Sequence, residues 1–170
     1  DWDHWLASHA EAAGAQLITS TVVKGLIRSA TGAVTGIRTD RPDGDLTAKV
    51  VIACDGVNSF LAKEAGLYEH TDAKHYTVGV KETLALPKEV IDERFAVRDR
   101  HGVDIEILGG TGGVNGGGFI YTNLDTLAVG VVLKLTKLGA QKARPEEIIA
   151  NLKRHPAIAP LVQGGELKEY

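Results

Sequence analysis

The sequence has one cysteine, Cys54, no methionine, and no apolar run near the roughly 18 residues that a membrane-spanning helix needs. A lone thiol excludes an internal disulfide and any zinc or iron-sulfur site built from several thiolates, so a reducing compartment is expected. Nor is there a basic excess: 19 Lys and Arg face 22 Asp and Glu, a formal net charge of -3. That balance leaves no cationic field for nucleic acid, which is not expected as a partner. No charged leader followed by an apolar segment opens the chain. The six histidines are scattered, and only His4 and His9 share an element, at a spacing that suits no common metal, so no metal site is expected. With no methionine, and with Asp1-Trp2-Asp3-His4-Trp5 reading as the inside of a helix, the 170 residues are expected to be an internal piece of a longer protein. Glu166 to Tyr170 likewise reads as a strand cut short.

Hydrophobic residues at 44% and charged residues at 24% lie near globular averages, so a packed core is expected. The pattern changes along the chain. Trp2, Trp5, Leu6, His9, Ala10 and Ala13 recur at helical spacing, with Gly14 placed as a left-handed stop, which predicts a helix over 1-13. Short strands are expected over Gln16-Ser20, Val22-Arg28 and Val34-Thr39, the last two forming a hairpin about Ala30-Thr31-Gly32. Leu46 to Ala53 reads as a strand whose end, Val50-Val51-Ile52-Ala53, is apolar on both faces, as in a covered central strand. Cys54 is expected to be buried there. A helix over Ser59-Ala65, capped by Asn58 and stopped by Gly66, follows.

From residue 69 onward the character is α+β. Val78 and Val80, then Val103, Ile105 and Ile107, alternate with polar residues as half-buried strands do, and Glu82, Asp104 and Glu106 are expected to be solvated. Pro87 to Ala96 reads as a helix on that sheet. Leu127, Val129, Val131, Leu133 and Leu135 line one face of a strand that pairs with Gly117-Thr122 through a turn near Asn123-Leu124-Asp125. Pro145-Glu146-Glu147 opens a helix and Lys153-Arg154-His155 closes it, matching the helix dipole at both ends. The division expected is therefore 1-68, α/β, and 69-170, α+β with a mainly antiparallel sheet.

Two segments can carry chemistry. Strand, acid-glycine corner and helix start follow one another at Val51 to Ser59, the arrangement beyond whose strand ends open α/β sheets bind ligands. Gly56 would admit a phosphate or ribityl chain to the backbone, helix N-H groups would favour an anion, and Asp55 would accept from hydroxyls. An ordinary strand-to-helix turn fits the same residues. The second segment, Gly109 to Tyr121, is glycine-rich but is neither a dinucleotide fingerprint nor a phosphate loop: Asn115 stands where the last glycine should be, and no helix follows. Gly109 to Gly113 reads as a hairpin loop, whereas Gly116 to Gly118 enter a strand, where glycine suits a planar ligand close to the backbone. A valine at Gly117 is expected to be tolerated by that strand.

The corner resembles the acid-glycine motif of glutathione-reductase-like flavoproteins, and Trp5-Leu6 with Glu11-Ala12-Ala13-Gly14-Ala15 resembles what precedes it. Gly116-Gly117-Gly118-Phe119-Ile120-Tyr121, Val129-Gly130-Val131-Val132, Lys153-Arg154-His155-Pro156-Ala157-Ile158 and Gly164-Gly165 are similar, in order, to the FixC and electron-transfer-flavoprotein:quinone oxidoreductase family. The resemblance spans nearly the whole chain. It implies part of an FAD-binding domain over 1-68, with Asp55, Gly56, Asn58 and Ser59 on the cofactor. It implies a quinone-side domain over 69-170, with Gly116, Gly117, Phe119 and Tyr121 at the substrate. Gly118 stands where serine is expected in the quinone oxidoreductases, which points to the FixC-like branch.

The activity so implied is FAD-dependent electron transfer from an electron-transfer flavoprotein to a quinone, by an enzyme of which this piece alone would be inactive. A ferredoxin-like protein is a further implied partner, and the location is cytoplasmic, either free or peripheral at the inner face of the cell membrane. A geranylgeranyl reductase or an aromatic monooxygenase of the same superfamily is the alternative enzyme. A non-catalytic protein-binding module is the alternative outside catalysis.

Overall fold

The computed structural model describes residues 2-170, which fall into two compact units, Asp1–His70 and Thr71–Tyr170. The first unit opens with helix α1, Trp2–Ala12. Residue 1 of the expected helix lies outside the described residues. Three- and four-residue spacings bring rings together on its surface: Trp2 stacks on Trp5 at 4.9 Å between centroids, and Trp5 meets His9 edge-on at 4.3 Å. Gly14, at φ +96°, closes the helix as expected.

Strands β1 (Val23–Arg28), β2 (Val34–Thr39) and β3 (Leu46–Thr47) form an antiparallel meander in that order. Its first turn is held by Ser29 N-H donating to the Ala33 carbonyl, with Gly32 at φ +86°. Because β1 is an edge strand, one row of its N-H groups points away from β2. Helix α2 (Phe60–Ala65) meets that row: Glu64 Oε1 accepts from Leu26 N-H at 3.0 Å, and Arg28 Nη2 donates to the Glu64 carbonyl at 3.0 Å.

One expected strand is absent from this unit and another is cut short. Gln16-Ser20 has no strand pairing, and the strand expected over 46-53 stops at Thr47. Val50 and Ile52 are 72% and 82% exposed, and Cys54 is exposed too. The physical reason is that a strand is defined by its ladder, and the ladder on β2 ends with Ala48 N-H donating to the Thr35 carbonyl at 2.9 Å, while no ladder reaches 16-20 or 49-53 among the described residues.

The second unit is a five-stranded sheet in the order β5-β6-β7-β4-β8, every pairing antiparallel. Its strands are β4 (Thr77–Ala85), β5 (Asp104–Leu108), β6 (Gly116–Thr122), β7 (Thr126–Lys134) and β8 (Glu166–Glu169). Helices α3 (Lys88–Phe95), α4 (Leu135–Gln141), α5 (Pro145–Arg154) and α6 (Ala159–Val162) complete it. Leu135 opens α4 rather than ending β7, and it is 43% exposed.

Alternation along β7 decides which face is the core. Leu127, Val129, Val131 and Leu133 are each fully buried, in one cluster with Ile91 and Phe95 of α3 and Ile148, Ile149 and Leu152 of α5. Burying side chains of this size is worth about 1.5-3 kcal/mol each before entropy is counted. Glu82 was expected to be solvated. It is instead 6% exposed on this inner face, beside Val129, and its charge is met by Lys153 Nζ of α5.

The opposite face is uncovered by any helix of the unit. Thr77, Gly79 and Lys81 of β4, Val132 and Lys134 of β7, and Leu108 of β5 are exposed along it.

Candidate functional site

The acid-glycine corner is compact. Gly56 takes φ +72°, Gly56–Asn58 forms a single 3-10 turn, and Ser59 takes the left-handed conformation at φ 45° immediately before α2. Ser59 Oγ donates to the Gly56 carbonyl at 2.8 Å, locking the turn. Asn58 was expected to cap the helix, but it sits inside the 3-10 turn and its side chain makes no cap bond. Asp55 takes that role: its Oδ2 accepts from Leu61 N-H at 2.7 Å, across the left-handed Ser59 that separates Asn58 from the helix. With six residues and one N-H already bonded, α2 offers little of the helix-end field expected for an anion.

What remains at the corner is a half-buried carboxylate with one oxygen engaged and Oδ1 unbonded among the described residues. Beside it a Cβ at Gly56 would meet nothing within 4 Å. Gly56 is glycine for its positive φ, and the space next to it is open. A polyhydroxyl chain could approach this backbone and donate to Asp55 Oδ1, so the residues fit the sugar-alcohol part of a flavin nucleotide.

The second set of residues lies on the sheet. Phe119 and Tyr121 project from β6 onto the uncovered face, their rings stacked at 5.4 Å and 14°. Gly117 shares that face by alternation. Gly116 does not: a Cβ there would stand 2.1 Å from the Val132 carbonyl oxygen and 3.1 Å from Leu133, toward the inner face. Gly118 is also inward, 2.8 Å from a Leu152 methyl. The glycine run is therefore demanded by the closeness of β6 to its neighbours. Even Gly117 has the Ile107 carbonyl oxygen 2.9 Å from where its Cβ would be, so the expectation that valine would be tolerated there is corrected. A branched side chain would push β5 from β6.

Across the sheet, Val132 is paired with Gly117 on one side and Gly79 on the other. On the Gly117 side the exposed valine floors a depression of about 370 Å³, with Phe119 on one border and Thr77 and Lys134 on the other, while Tyr121 stands behind Phe119 and does not line it. Thr77, Val132 and Lys134 were not singled out from the sequence. Their signal was the same alternation on β7 and β4 that marked the core, taken on its other phase.

The fold and the corner define a class, and the chain belongs to the FAD-binding domain family, whose model matches residues 1-103. Individual relatives lie closer still in sequence. The chain is 45% identical to Protein FixC of Salmonella typhi over 171 residues, which is 99% of this chain and 39% of that protein. It is 42% identical over 170 residues to the probable electron transfer flavoprotein-quinone oxidoreductase YdiS of Escherichia coli strain K12, again 99% of this chain and 39% of the relative. The chain thus spans about two fifths of the length of these relatives.

Among solved structures, a geranylgeranyl bacteriochlorophyll reductase-like protein of Thermoplasma acidophilum superposes with TM-score 0.75 at 19% identity, covering 99% of this chain and 39% of that one. A triple mutant of a flavin-dependent brominase superposes with TM-score 0.72 at 17% identity, covering 100% and 42%. At these identities the likeness is one of fold.

Proposed function

We propose that these residues belong to a FAD-dependent oxidoreductase that takes electrons from an electron-transfer flavoprotein and delivers them to a quinone. The observation that carries this reading is the apolar depression over Val132, floored by Gly117 beside it and bordered by the Phe119 ring, which stacks on Tyr121. It is a shallow, flat-sided site suited to a planar ring. The similarity to FixC and to YdiS, whose name states a quinone oxidoreductase, supports the same reading. A ferredoxin-like protein as an additional partner, and a cytoplasmic location, either free or peripheral at the inner face of the cell membrane, belong to the same proposal.

Bound FAD would supply the two-electron store between donor and acceptor. This chain's residues would do the binding and positioning. Asp55 would accept from a hydroxyl of the cofactor's chain through its free Oδ1 while Oδ2 stays on Leu61 N-H. Gly56 would let that chain lie against the backbone, and the Ser59 hydroxyl would keep the turn closed beside Asn58. On the sheet, Gly117 would leave the ring plane unobstructed, and Phe119, backed by Tyr121, would keep water from its border. Gly116 would act through the closeness it allows between β6 and β7.

The test uses full-length, FAD-loaded protein without oxygen. Reduced electron-transfer flavoprotein should bleach the flavin absorbance, and a short-chain quinone should restore it. Bleaching by a nicotinamide nucleotide, with no response to the flavoprotein, would instead favour a reductase or monooxygenase of the same fold.

A further inference from the structure

The border of the depression opposite Phe119 is made of hydrogen-bond donors from three sources. Lys134 ends β7 directly across from Thr77 of β4, and Lys134 N-H donates to the carbonyl of Asn115 at 2.8 Å, which sets Asn115 on its other side. With strands roughly 4.8 Å apart, the three residues lie in one row about 10 Å long. Among the described residues, none of their side chains has a hydrogen-bond or ion-pair partner, and all three are exposed.

The carboxylate that shares this depression, Glu106, stands in the row of Phe119 and Gly130. That is four residues along and two strands across from Lys134, or roughly 16 Å. At that distance, in solvent, it does little to satisfy the ammonium. The floor between the two rows is Val132 with Gly117, and it offers no charge.

We infer that Lys134 is a specificity residue of this depression. It orients a planar, oxygen-bearing ring with one oxygen on its ammonium, and it selects rings that carry negative charge on that oxygen. The inference rests on the reading of the depression as a quinone pocket and names the subclass of quinone it favours, the acidic, hydroxylated ones. A neutral carbonyl gains one hydrogen bond from the Lys134 ammonium. An ionised ring oxygen gains that bond and, in addition, the attraction of two opposite full charges. Apolar substituents of the same ring would lie toward Val132, leaving Thr77 and Asn115 to receive the remaining polar edge.

The test is equilibrium binding to the oxidised, FAD-loaded, full-length protein with no electron donor present. The probes are a hydroxynaphthoquinone that is ionised at neutral pH and the unsubstituted naphthoquinone. Wild type should bind the anionic probe more tightly, and only that probe's affinity should fall as salt is raised. Lys134→Gln should lose about tenfold for the anion, the worth of one charged hydrogen bond, and less than about twofold for the neutral ring. Lys134→Arg should retain the preference, since the charge remains. Equal affinities of wild type and Lys134→Gln for the anionic probe would overturn the role of Lys134 while leaving the pocket standing, and so would equal losses for both probes. Failure of wild type to bind either probe would overturn the inference together with the quinone reading itself.

Discussion

The ring of Phe119 fills the space that a side chain at its cross-strand partner, Gly130, would need: a Cβ there would stand 2.3 Å from Phe119 Cζ. The same Cβ would be 2.6 Å from the Val80 carbonyl oxygen of the next strand. Gly130 is thus a seat for the aromatic, and the platform bordering the depression depends on a residue that contributes no atoms to its surface.

Gly130→Ala should therefore destabilise the chain by about 1-3 kcal/mol, the usual cost of an added methyl in a filled space. It should also disturb the Phe119-Tyr121 stack. Urea unfolding measures the first effect, and near-ultraviolet circular dichroism reports the second. An alanine variant with unchanged stability and aromatic signal would show that Phe119 does not rest on this glycine.

The pair Glu82-Lys153 joins β4 to α5 inside the core, with the carboxylate side chain 8% exposed and the ammonium 28%. Removing only the cation by Lys153→Met leaves a buried charge unmet, which costs about 3-5 kcal/mol when burial is complete and somewhat less with Lys153 partly in water. The double variant Glu82→Leu with Lys153→Met should recover most of that loss, because no charge remains to be desolvated. Thermal melts of the two variants check this, and a double variant no better than the single one would contradict it.

Much of the second unit is legible in the sequence, because alternation on β7 and the polar helix ends of α5 report local geometry directly. Glu82 shows where that stops. Its phase matches Val78, Val80 and Leu84 on the inner face, but the cation that makes its burial tolerable lies 71 residues away on α5, beyond any local pattern. At the corner, Asp55 and Asn58 are both good caps by residue type. The choice between them was made by the left-handed turn at Ser59, which residue type does not announce. For Val50-Val51-Ile52-Ala53 the apolar composition reads as a covered strand, yet these residues form no strand, and Val50 and Ile52 are exposed. The glycines at 116-118 read as room for a ligand, whereas their first cause is the closeness of backbone and Leu152.

Asp55 now has two separable roles. Asp55→Asn keeps an oxygen for Leu61 N-H but loses the charged acceptor, while Asp55→Ala loses both. In the full-length protein the Asn variant should hold its melting temperature and lose about tenfold in FAD affinity, as expected for one hydrogen bond to a charged group. The Ala variant should lose in addition about 0.5-2 kcal/mol of stability from the missing cap. Fluorescence titration with FAD and thermal melts separate the two, and full FAD affinity in the Asn variant would leave Asp55 as a cap alone.

The most direct test is to fill the depression without touching the ladder, at Val132. Its side chain is 40% exposed and flanked by Gly117 and Gly79, so Val132→Trp adds bulk above the sheet in a residue type that strands accept. The measurement is a pair of anaerobic rates in the full-length enzyme, flavin reduction by the electron-transfer flavoprotein and flavin reoxidation by quinone. Reoxidation should fall at least about tenfold, equivalent to 1.4 kcal/mol of lost binding, while reduction and melting temperature stay unchanged. Unchanged reoxidation in a folded, reducible Val132→Trp enzyme would contradict the account and put the quinone elsewhere.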